Sequence, residues 1–443
     1  MLITLVGFVL RVLYVWMAQV DYPIRGDVNQ YVLYAWNLVH RGVFSTALPD
    51  AAGAAPDSYR GPGYPLFLAL NMWLAGHSDL PLRPGPNGLQ ALGYVTDTWM
   101  RYALAGQVVL STATVALSMA MARLWLSRAA VLVAGFLVAL WPHLITFAGS
   151  LLSETLFAFT IVLSLYLACV AQSRSSLLLT MSAGACFGCA YLVNPVIALF
   201  PPLLAALLWV RMQRRAAIIL LVTFAIAPSL WAVRNTGIVG ENSDATLRAA
   251  QNLVQGSIPQ YFTAYNSRLD NPISKQIVDL ASDETQLLIA HPAAGLAEIV
   301  DRMRQDPAFY AKWYLFDKPY QLWDWEIRIG AGDIYFLETQ HSPFERIPAL
   351  KSMKYLIRSL NPVLFLLAAG AMFVLVWQNF RRPSSADVPP SALALLFLYV
   401  TLLHLMFQAE PRYAIPFRPV ELLLAVTAVT ASAHGLLRRR AKE

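Results

Sequence analysis

The sequence predicts an all-α, polytopic integral membrane protein. Of its 443 residues, 57% are hydrophobic and only 13% are charged, against about 25% charged residues in soluble domains. Apolar segments of about 20 residues, the length that crosses the hydrocarbon core of a bilayer, recur along the chain. They predict about ten transmembrane helices, at roughly 2–20, 101–123, 129–149, 153–171, 176–193, 195–210, 216–233, 358–377, 391–408 and 419–437.

The first apolar segment contains one charged residue, Arg11. A signal peptide has an uninterrupted apolar region followed by a cleavage site of small residues. The segment has neither feature, so we expect a retained transmembrane helix.

Basic residues are distributed between the loops as the positive-inside rule requires. Alternate short loops carry arginines, and residues 438–442 form a basic tail, whereas the connections around 148–152 and 193–195 carry no basic residue. An even number of spans returns the chain to its starting side, so we expect both termini in the cytoplasm. The long segments 21–100 and 234–357 then face the periplasm or the exterior of a cell (inner) membrane.

This topology predicts three parts. Residues 1–233 form an N-terminal transmembrane core, with the first outer loop at about 21–100. Residues 234–357 form a large outer segment, and residues 358–443 form the C-terminal transmembrane helices and the basic tail.

The outer segments are not plain loops. Val28–His40 and Pro62–Ala75 are apolar at helical spacing but too short to span, so we expect helices in the plane of the membrane interface. In the larger segment, Ala293–Gln305 has a helical pattern, and the aromatic run Phe309–Phe316 has the composition of residues at headgroup level.

Composition also excludes several functions. The net charge of +7 does not indicate a nucleic-acid partner, because the basic residues lie in short clusters between apolar segments. A Walker-type glycine loop is lacking in the sequence, which argues against an ATP-driven pump. The three cysteines, Cys169, Cys186 and Cys189, lie in apolar segments, where we expect them to pack.

Polar residues that suit chemistry lie at the predicted outer ends of the segments. They occur in Asp27–Tyr31, Tyr59-Arg60-Gly61-Pro62-Gly63-Tyr64-Pro65, Ser153-Glu154-Thr155-Leu156-Phe157, Arg234-Asn235 and Arg412-Tyr413. A carboxylate can accept the proton of a hydroxyl, and a guanidinium fits two phosphate oxygens. An unpaired carboxylate such as Glu154 is costly beside an apolar span, so we expect a partner or a functional role for it.

In their order and placement these motifs resemble the GT-C glycosyltransferases, in the branch of the protein O-mannosyltransferases and the lipid A aminoarabinose transferases. The resemblance implies a GT-C-type fold and a polyprenyl-phosphate-linked sugar donor. The sugar would pass, with inversion, to a hydroxyl of a protein, lipid or glycan on the outer face of the membrane.

The resemblance also implies roles for individual residues. Asp27 is the expected base, Glu154 is the second catalytic carboxylate, and Arg60, Arg234 and Arg412 are expected on the donor phosphate. The substrate cavity is expected to involve Tyr31, Tyr59, Tyr64, His143 and Tyr413. Whether a divalent cation binds Asp27 and Glu154 stays open, and no other cofactor is expected.

The acceptor also stays open. Eukaryotic-type mannosyltransferases carry two adjacent acids, whereas Val28 follows Asp27, and aminoarabinose transferases carry an acid where Tyr59 stands. A secondary transporter or lipid-linked sugar flippase is an alternative, as is a noncatalytic assembly partner. Transporters place charges near the bilayer midplane and show internal repeats, whereas this chain has charges at the outer ends and no evident repeat.

Overall fold

The computed structural model describes most of the chain, namely residues 1–20, 22–76, 98–238, 245–381 and 388–440. Within these ranges the fold is almost entirely α-helical, which confirms the predicted class. Their only sheet is one short antiparallel pair, Gln19–Val20 (β1) with Thr339–Gln340 (β2). This pair connects the start of the predicted first outer loop to the predicted large outer segment.

Helices follow one another along the described residues. The N-terminal half contains α1 (Leu2–Met17), α2 (Asp27–Arg41), α3 (Gly63–Leu74), α4 (Thr98–Ala122), α5 (Arg128–Leu140), α6 (Pro142–Thr146), α7 (Glu154–Arg174), α8 (Leu177–Val193), α9 (Phe200–Val210) and α10 (Arg214–Asn235). The C-terminal half contains α11 (Ala245–Gly256), α12 (Tyr261–Ser267), α13 (Pro272–Ala290), α14 (Pro292–Gln305), α15 (Pro307–Lys312), α16 (Lys318–Trp323), α17 (Pro343–Arg346), α18 (Pro348–Arg381), α19 (Val388–Met406), α20 (Pro411–Ala414) and α21 (Arg418–Arg440).

Each predicted apolar segment coincides with a helix or a pair of helices. Six helices of the described residues are long and apolar enough to span a membrane, and the pair α5–α6, bent by 55°, would make a seventh. Three further apolar helices, at Leu2–Met17, Leu177–Val193 and Pro195–Val210, are shorter. The chain is therefore a multi-pass membrane protein, and the count of ten spans stays a prediction.

Prolines explain where two of these helices break. The α5–α6 bend falls at Trp141, just before Pro142, and the residue before a proline is disfavoured in helical conformation. α8 ends at Val193, and the Asn194 side chain then accepts a hydrogen bond from the Val196 N–H at 3.1 Å. The Asn194-Pro195 boundary is therefore a true helix end.

The first outer loop forms the two predicted helices, α2 and α3, and packs them onto the bundle. Two glycines make this packing close: a Cβ at Gly61 would lie 2.5 Å from the Leu192 carbonyl oxygen, and one at Gly63 would lie 2.6 Å from the Val193 nitrogen. Real Cβ atoms do not approach so closely, so the Arg60-Gly61-Pro62-Gly63 run allows this loop to rest on the C-terminal end of α8.

The large outer segment has a small core of its own. Apolar side chains of α11 to α14 meet there, including Val254, Ala281 and Ile299. The aromatic run continues from α15 through a π-helical turn, Trp313–Asp317, into α16. Leu315 in that turn is 64% exposed, as a residue resting on a membrane surface would be in the absence of lipid.

Candidate active site

Asp27 is the first residue of α2, where the helix dipole favours a negative charge. Its Oδ1 accepts a hydrogen bond from Nη2 of Arg60 at 2.5 Å, and its Oδ2 accepts one from Nη2 of Arg412 at 3.0 Å. Each oxygen of the carboxylate therefore holds a different arginine. The Asp27 side chain remains 31% exposed, so an incoming group can reach it.

Arg412 joins Asp27 to the second predicted carboxylate. Its Nε donates to Oε1 of Glu154, the first residue of α7, and both side chains are only 9% exposed. The Phe336 ring packs against the guanidinium, with its centroid 4.0 Å from Cζ. We refer to the four ion-paired residues Asp27, Arg60, Glu154 and Arg412 as the Asp27 cluster.

The arginines determine the charge state of the base. Burial alone would raise the pKa of Asp27, but the nearby Arg412 and Arg60 outweigh it and hold that pKa below its usual range. Arg60 is oriented for this contact by a second hydrogen bond, from its Nε to Oε1 of Gln30 at 2.6 Å. Asp27 is therefore an ionised hydrogen-bond acceptor throughout the ordinary pH range.

A third arginine, Arg248 of α11, lies beside the cluster. It donates to the Tyr59 carbonyl oxygen at 3.5 Å, and its guanidinium lies 5.5 Å from the centroid of the Tyr59 ring. Burial and the nearby Arg60 lower the pKa of Arg248, while Asp27 opposes that shift. Within the described ranges, no carboxylate forms an ion pair with it.

Arg248 is not among the site residues that the sequence motifs predict. It lies in a polar amphipathic helix that has no motif and is typical of a solvated surface. In three dimensions it brings the count to three arginines beside two carboxylates, which leaves one net positive charge. Such a site attracts an anion, and guanidinium groups suit phosphate.

Three of the predicted cavity tyrosines lie around the cluster. The rings of Tyr31 and Tyr59 lie 5.2 Å and 5.4 Å from the Arg60 guanidinium, within the range of cation–π contacts. Tyr413 follows Arg412 directly, and its hydroxyl donates to Oε1 of Gln408 at 2.8 Å. Tyr64 lies deeper: it is fully buried, and its hydroxyl donates to Oε1 of Gln107 at 3.0 Å.

Glu410 positions Arg412 from behind. Its carboxylate accepts the Arg412 backbone N–H at 2.6 Å, which caps α20, and the Arg328 and Ile329 N–H groups at 2.7 Å and 3.3 Å. Complete burial raises the pKa of Glu410 to about 7, although these backbone donors oppose the shift. The outer segment is thus fixed to the start of the last span.

Two predicted site residues lie elsewhere. Arg234 donates to the carbonyl oxygens of Asp57 at 2.6 Å and Phe44 at 3.4 Å, and it packs on the Trp231 ring. His143 is buried, and its Nε2 lies 2.9 Å from the Trp325 carbonyl oxygen. The structure does not bring either side chain into the Asp27 cluster.

Arg234 lies instead on the wall of an apolar cavity of about 660 Å³. One side of the cavity is the first outer loop, including Phe44 and Leu66, and the other is formed by α8 and α10, including Leu192 and Leu230. This volume and apolar lining suit a hydrocarbon chain.

The charged groups of the site do not form an evident metal centre. Within the described residues, no three His, Cys, Asp or Glu side chains come together as ligands. Asp27 and Glu154 both contact Arg412, so a cation bridging the two carboxylates would have to displace a guanidinium. The donor set therefore fits an arginine better than a metal.

Comparison with known proteins gives one family match. The model of the dolichyl-phosphate-mannose-protein mannosyltransferases matches residues 27–239, from Asp27 to just beyond α10. A search of curated proteins found no match.

Solved structures are similar to this chain at low sequence identity. The Archaeoglobus fulgidus oligosaccharyltransferase tethered with an acceptor peptide aligns with a TM-score of 0.51 and 14% identity, over 100% of this chain and 50% of its own. ArnT from Cupriavidus metallidurans bound to undecaprenyl phosphate aligns with a TM-score of 0.45 and 13% identity, over 97% of this chain and 59% of its own. The chain spans about half the length of the archaeal structures.

Together these findings define a membrane protein with a GT-C-type fold, which confirms the predicted fold. Over residues 27–239 the chain is similar to the dolichyl-phosphate-mannose-protein mannosyltransferases, in agreement with the resemblance of its motifs.

Proposed function

We propose that this protein is a membrane glycosyltransferase that moves one sugar from a polyprenyl-phosphate-linked donor to an acceptor hydroxyl on the outer face of the membrane. The observation that carries the proposal is the Asp27 cluster, in which two arginines flank an ionised, partly exposed carboxylate. The match to a family of dolichyl-phosphate-mannose enzymes supports the donor class.

The arginines would bind the donor phosphate. Arg60 and Arg412 use Nε and Nη2 in the hydrogen bonds described above, so each can offer Nη1 to a phosphate oxygen. Arg248 would add a positive charge, since no carboxylate of the described residues forms an ion pair with it. A developing phosphate dianion is stabilised best by donors already in place.

Asp27 would act on the acceptor. As the acceptor oxygen bonds to the anomeric carbon, its proton passes to Asp27 while the bond from carbon to phosphate oxygen breaks. Polyprenyl phosphate leaves as the dianion, and one displacement inverts the anomeric centre. The low pKa of Asp27 makes it a weak base, so the proton moves late, when the new bond has made the hydroxyl acidic.

The apolar cavity beside α10 is the proposed place for the polyprenyl chain. Two of its lining residues, Pro56 and Pro62, are close in sequence to Tyr59 and Arg60. A chain bound there would lead its phosphate toward the arginines. The sugar, hexose or pentose, and the acceptor, protein, lipid or glycan, are left to experiment.

The test of the function uses purified protein with a panel of polyprenyl-phosphate sugars. Release of polyprenyl phosphate together with transfer of the sugar to a small hydroxyl compound, or to water, would support the enzyme. Movement of the intact lipid-linked sugar from one leaflet of a vesicle membrane to the other, without release of polyprenyl phosphate from any donor, would favour a flippase instead.

Arg248→Gln is expected to weaken binding of polyprenyl phosphate by about tenfold, the effect of one charge-assisted hydrogen bond. The matched variant Arg304→Gln, at an exposed arginine of α14 that pairs with Asp301, is expected to change affinity less than about threefold. Titration of tryptophan fluorescence with polyprenyl phosphate would measure both. Equal losses would contradict the distinction between the two arginines.

Chelation is expected to have little effect. Because arginines supply the positive charge at Asp27 and Glu154, EDTA should leave the transfer rate within about twofold of the untreated enzyme. The assay compares EDTA-treated protein with and without added Mg²⁺ or Mn²⁺. Loss of transfer that either cation restores would place a metal in the reaction.

A further inference from the structure

Arg11 is a fully buried cation in the first apolar helix. Its Nε donates to Oγ of Ser111 at 2.6 Å, and its Nη1 donates to the carbonyl oxygens of Gly7 at 2.9 Å and Ala139 at 3.0 Å. In the part of the chain that the structure describes, no carboxylate pairs with it. Arginine keeps its charge in proteins, and a charge inside a membrane bundle is retained where it has a function.

Glu154 presents the complementary feature. Its Oε1 accepts from Arg412, but its Oε2 is buried and has no hydrogen-bond partner among the described residues. A buried, unsatisfied carboxylate oxygen is unfavourable by several kcal/mol in an apolar medium. Such an atom indicates a missing donor.

A small cavity lies between these two features. Ser111 and Thr114 of α4 line it on one side, and Glu154 and Thr155 of α7 line it on the other. It leaves about 10 Å³ for the centre of a water molecule, which is the space that one water needs.

The walls of this cavity present acceptors. The Ser111 hydroxyl donates to the Leu144 carbonyl oxygen at 3.0 Å, and the Thr114 hydroxyl donates to the Leu110 carbonyl oxygen at 2.9 Å. The Ser111 oxygen already accepts from Arg11 and has one lone pair left, whereas Oε2 of Glu154 has no donor among the described residues. Water offers two donors and fits the volume.

We propose that this cavity binds one water molecule, which donates to Oε2 of Glu154 and to Oγ of Ser111. Arg11, which donates to the same Ser111 oxygen, fixes that oxygen and with it the water that donates to Glu154. Glu154 in turn holds the Arg412 side chain against Asp27. Arg11 and Ser111 are thus positioning residues, and the expected effect on catalysis, unlike the water site itself, rests on the proposed function.

The first experiment does not depend on activity. Thermal unfolding is measured for the Arg11→Met, Glu154→Gln and double variants of the full chain in detergent. The melting temperature of the double variant is expected to fall by clearly less than the sum of the two single decreases, because each single change already breaks the same connection. Additive losses would overturn the coupling.

A conservative variant and a matched control follow. Arg11→Met and Ser111→Ala are each expected to lower kcat about tenfold, the effect of one hydrogen bond to a charged group, with KM for the donor little changed. Arg11→Lys should restore most of kcat because it keeps the charge. Ser118→Ala, which removes a buried hydroxyl of the same helix that donates to the Thr114 carbonyl oxygen, should leave kcat unaffected.

The outcomes separate the two proposals. If Ser118→Ala lowers kcat as much as Ser111→Ala does, the positioning role is overturned. If the wild-type protein transfers no sugar, the proposed function fails, and the unfolding cycle still decides the coupling. An experimental map that resolves ordered water but shows none between Ser111 and Glu154 would overturn the water site.

Discussion

Asp27→Asn is expected to lower sugar transfer by about a thousandfold, within the range that general-base catalysis contributes. Asparagine keeps the shape of the side chain but can neither accept the acceptor's proton nor pair with Arg60 and Arg412. Transfer would be measured at saturating donor, beside binding of polyprenyl phosphate. Because the arginines remain, phosphate binding should persist or strengthen while transfer is lost.

Asp50→Asn is the matched control, since Asp50 lies exposed on the same outer loop. It should transfer sugar at the wild-type rate. If Asp27→Asn kept substantial transfer, Asp27 would not be the base. If it lost donor binding as well, the carboxylate would act by orienting the arginines rather than by taking a proton.

The pH dependence tests the same assignment. Arg412 and Arg60 hold the pKa of Asp27 below its usual range, so its ionised form persists as the pH falls from 8 to 5. The ion pairs also stabilise the fold above the ordinary pKa of an aspartate and lose that contribution only as the pH falls through the lower folded value. We therefore expect no loss of the Asp27-dependent rate across this range.

The carboxyl group of Glu410 titrates inside that pH range, and its contribution to stability depends on pH in the opposite direction. Burial raises its pKa to about 7, so its contribution to stability is present at low pH and is lost as the pH rises through about 7. Glu410→Gln should remove this dependence. An acid limb of transfer near pH 6 that survives in Glu410→Gln would contradict the ionised state assigned to Asp27.

Local patterns predicted the helices and part of the site. Segment length and apolar composition identified every apolar helix or helix pair, and α2 and α3 followed from helical spacing within the first outer loop. The same loop contributes Asp27 and Arg60, so their proximity was within reach of a sequence argument.

The rest of the site depends on contacts between distant parts of the chain. Glu154 and Arg412 are 258 positions apart, and only the packing of α7 against the start of the last span joins them. Arg234 lies in the last turn of α10 and Arg248 in the first half of α11, and their sequence surroundings do not distinguish their roles. In the fold, Arg248 lies beside the Asp27 cluster, whereas Arg234 donates to the carbonyl oxygens of Phe44 and Asp57.

Arg412→Met is expected to be the most damaging substitution in both stability and transfer. It would leave Glu154 and Asp27 as neighbouring carboxylates without their shared cation, and removing one member of a buried ion pair destabilises by about 3–5 kcal/mol. Transfer should fall at least about a hundredfold, because one donor to the developing phosphate charge is lost. Thermal unfolding and transfer would be measured together, with Arg381→Met as a control at an exposed arginine at the end of α18.

Further variants separate charge from geometry. Arg412→Lys keeps the charge but cannot reach Asp27 and Glu154 at once, so it should recover stability more than transfer. Adding Glu154→Gln to Arg412→Met removes the unpaired carboxylate and should restore much of the melting temperature while transfer stays low. Recovery of transfer in that double variant would mean that Arg412 serves only to neutralise Glu154, and Arg412 would then have no part in binding the phosphate.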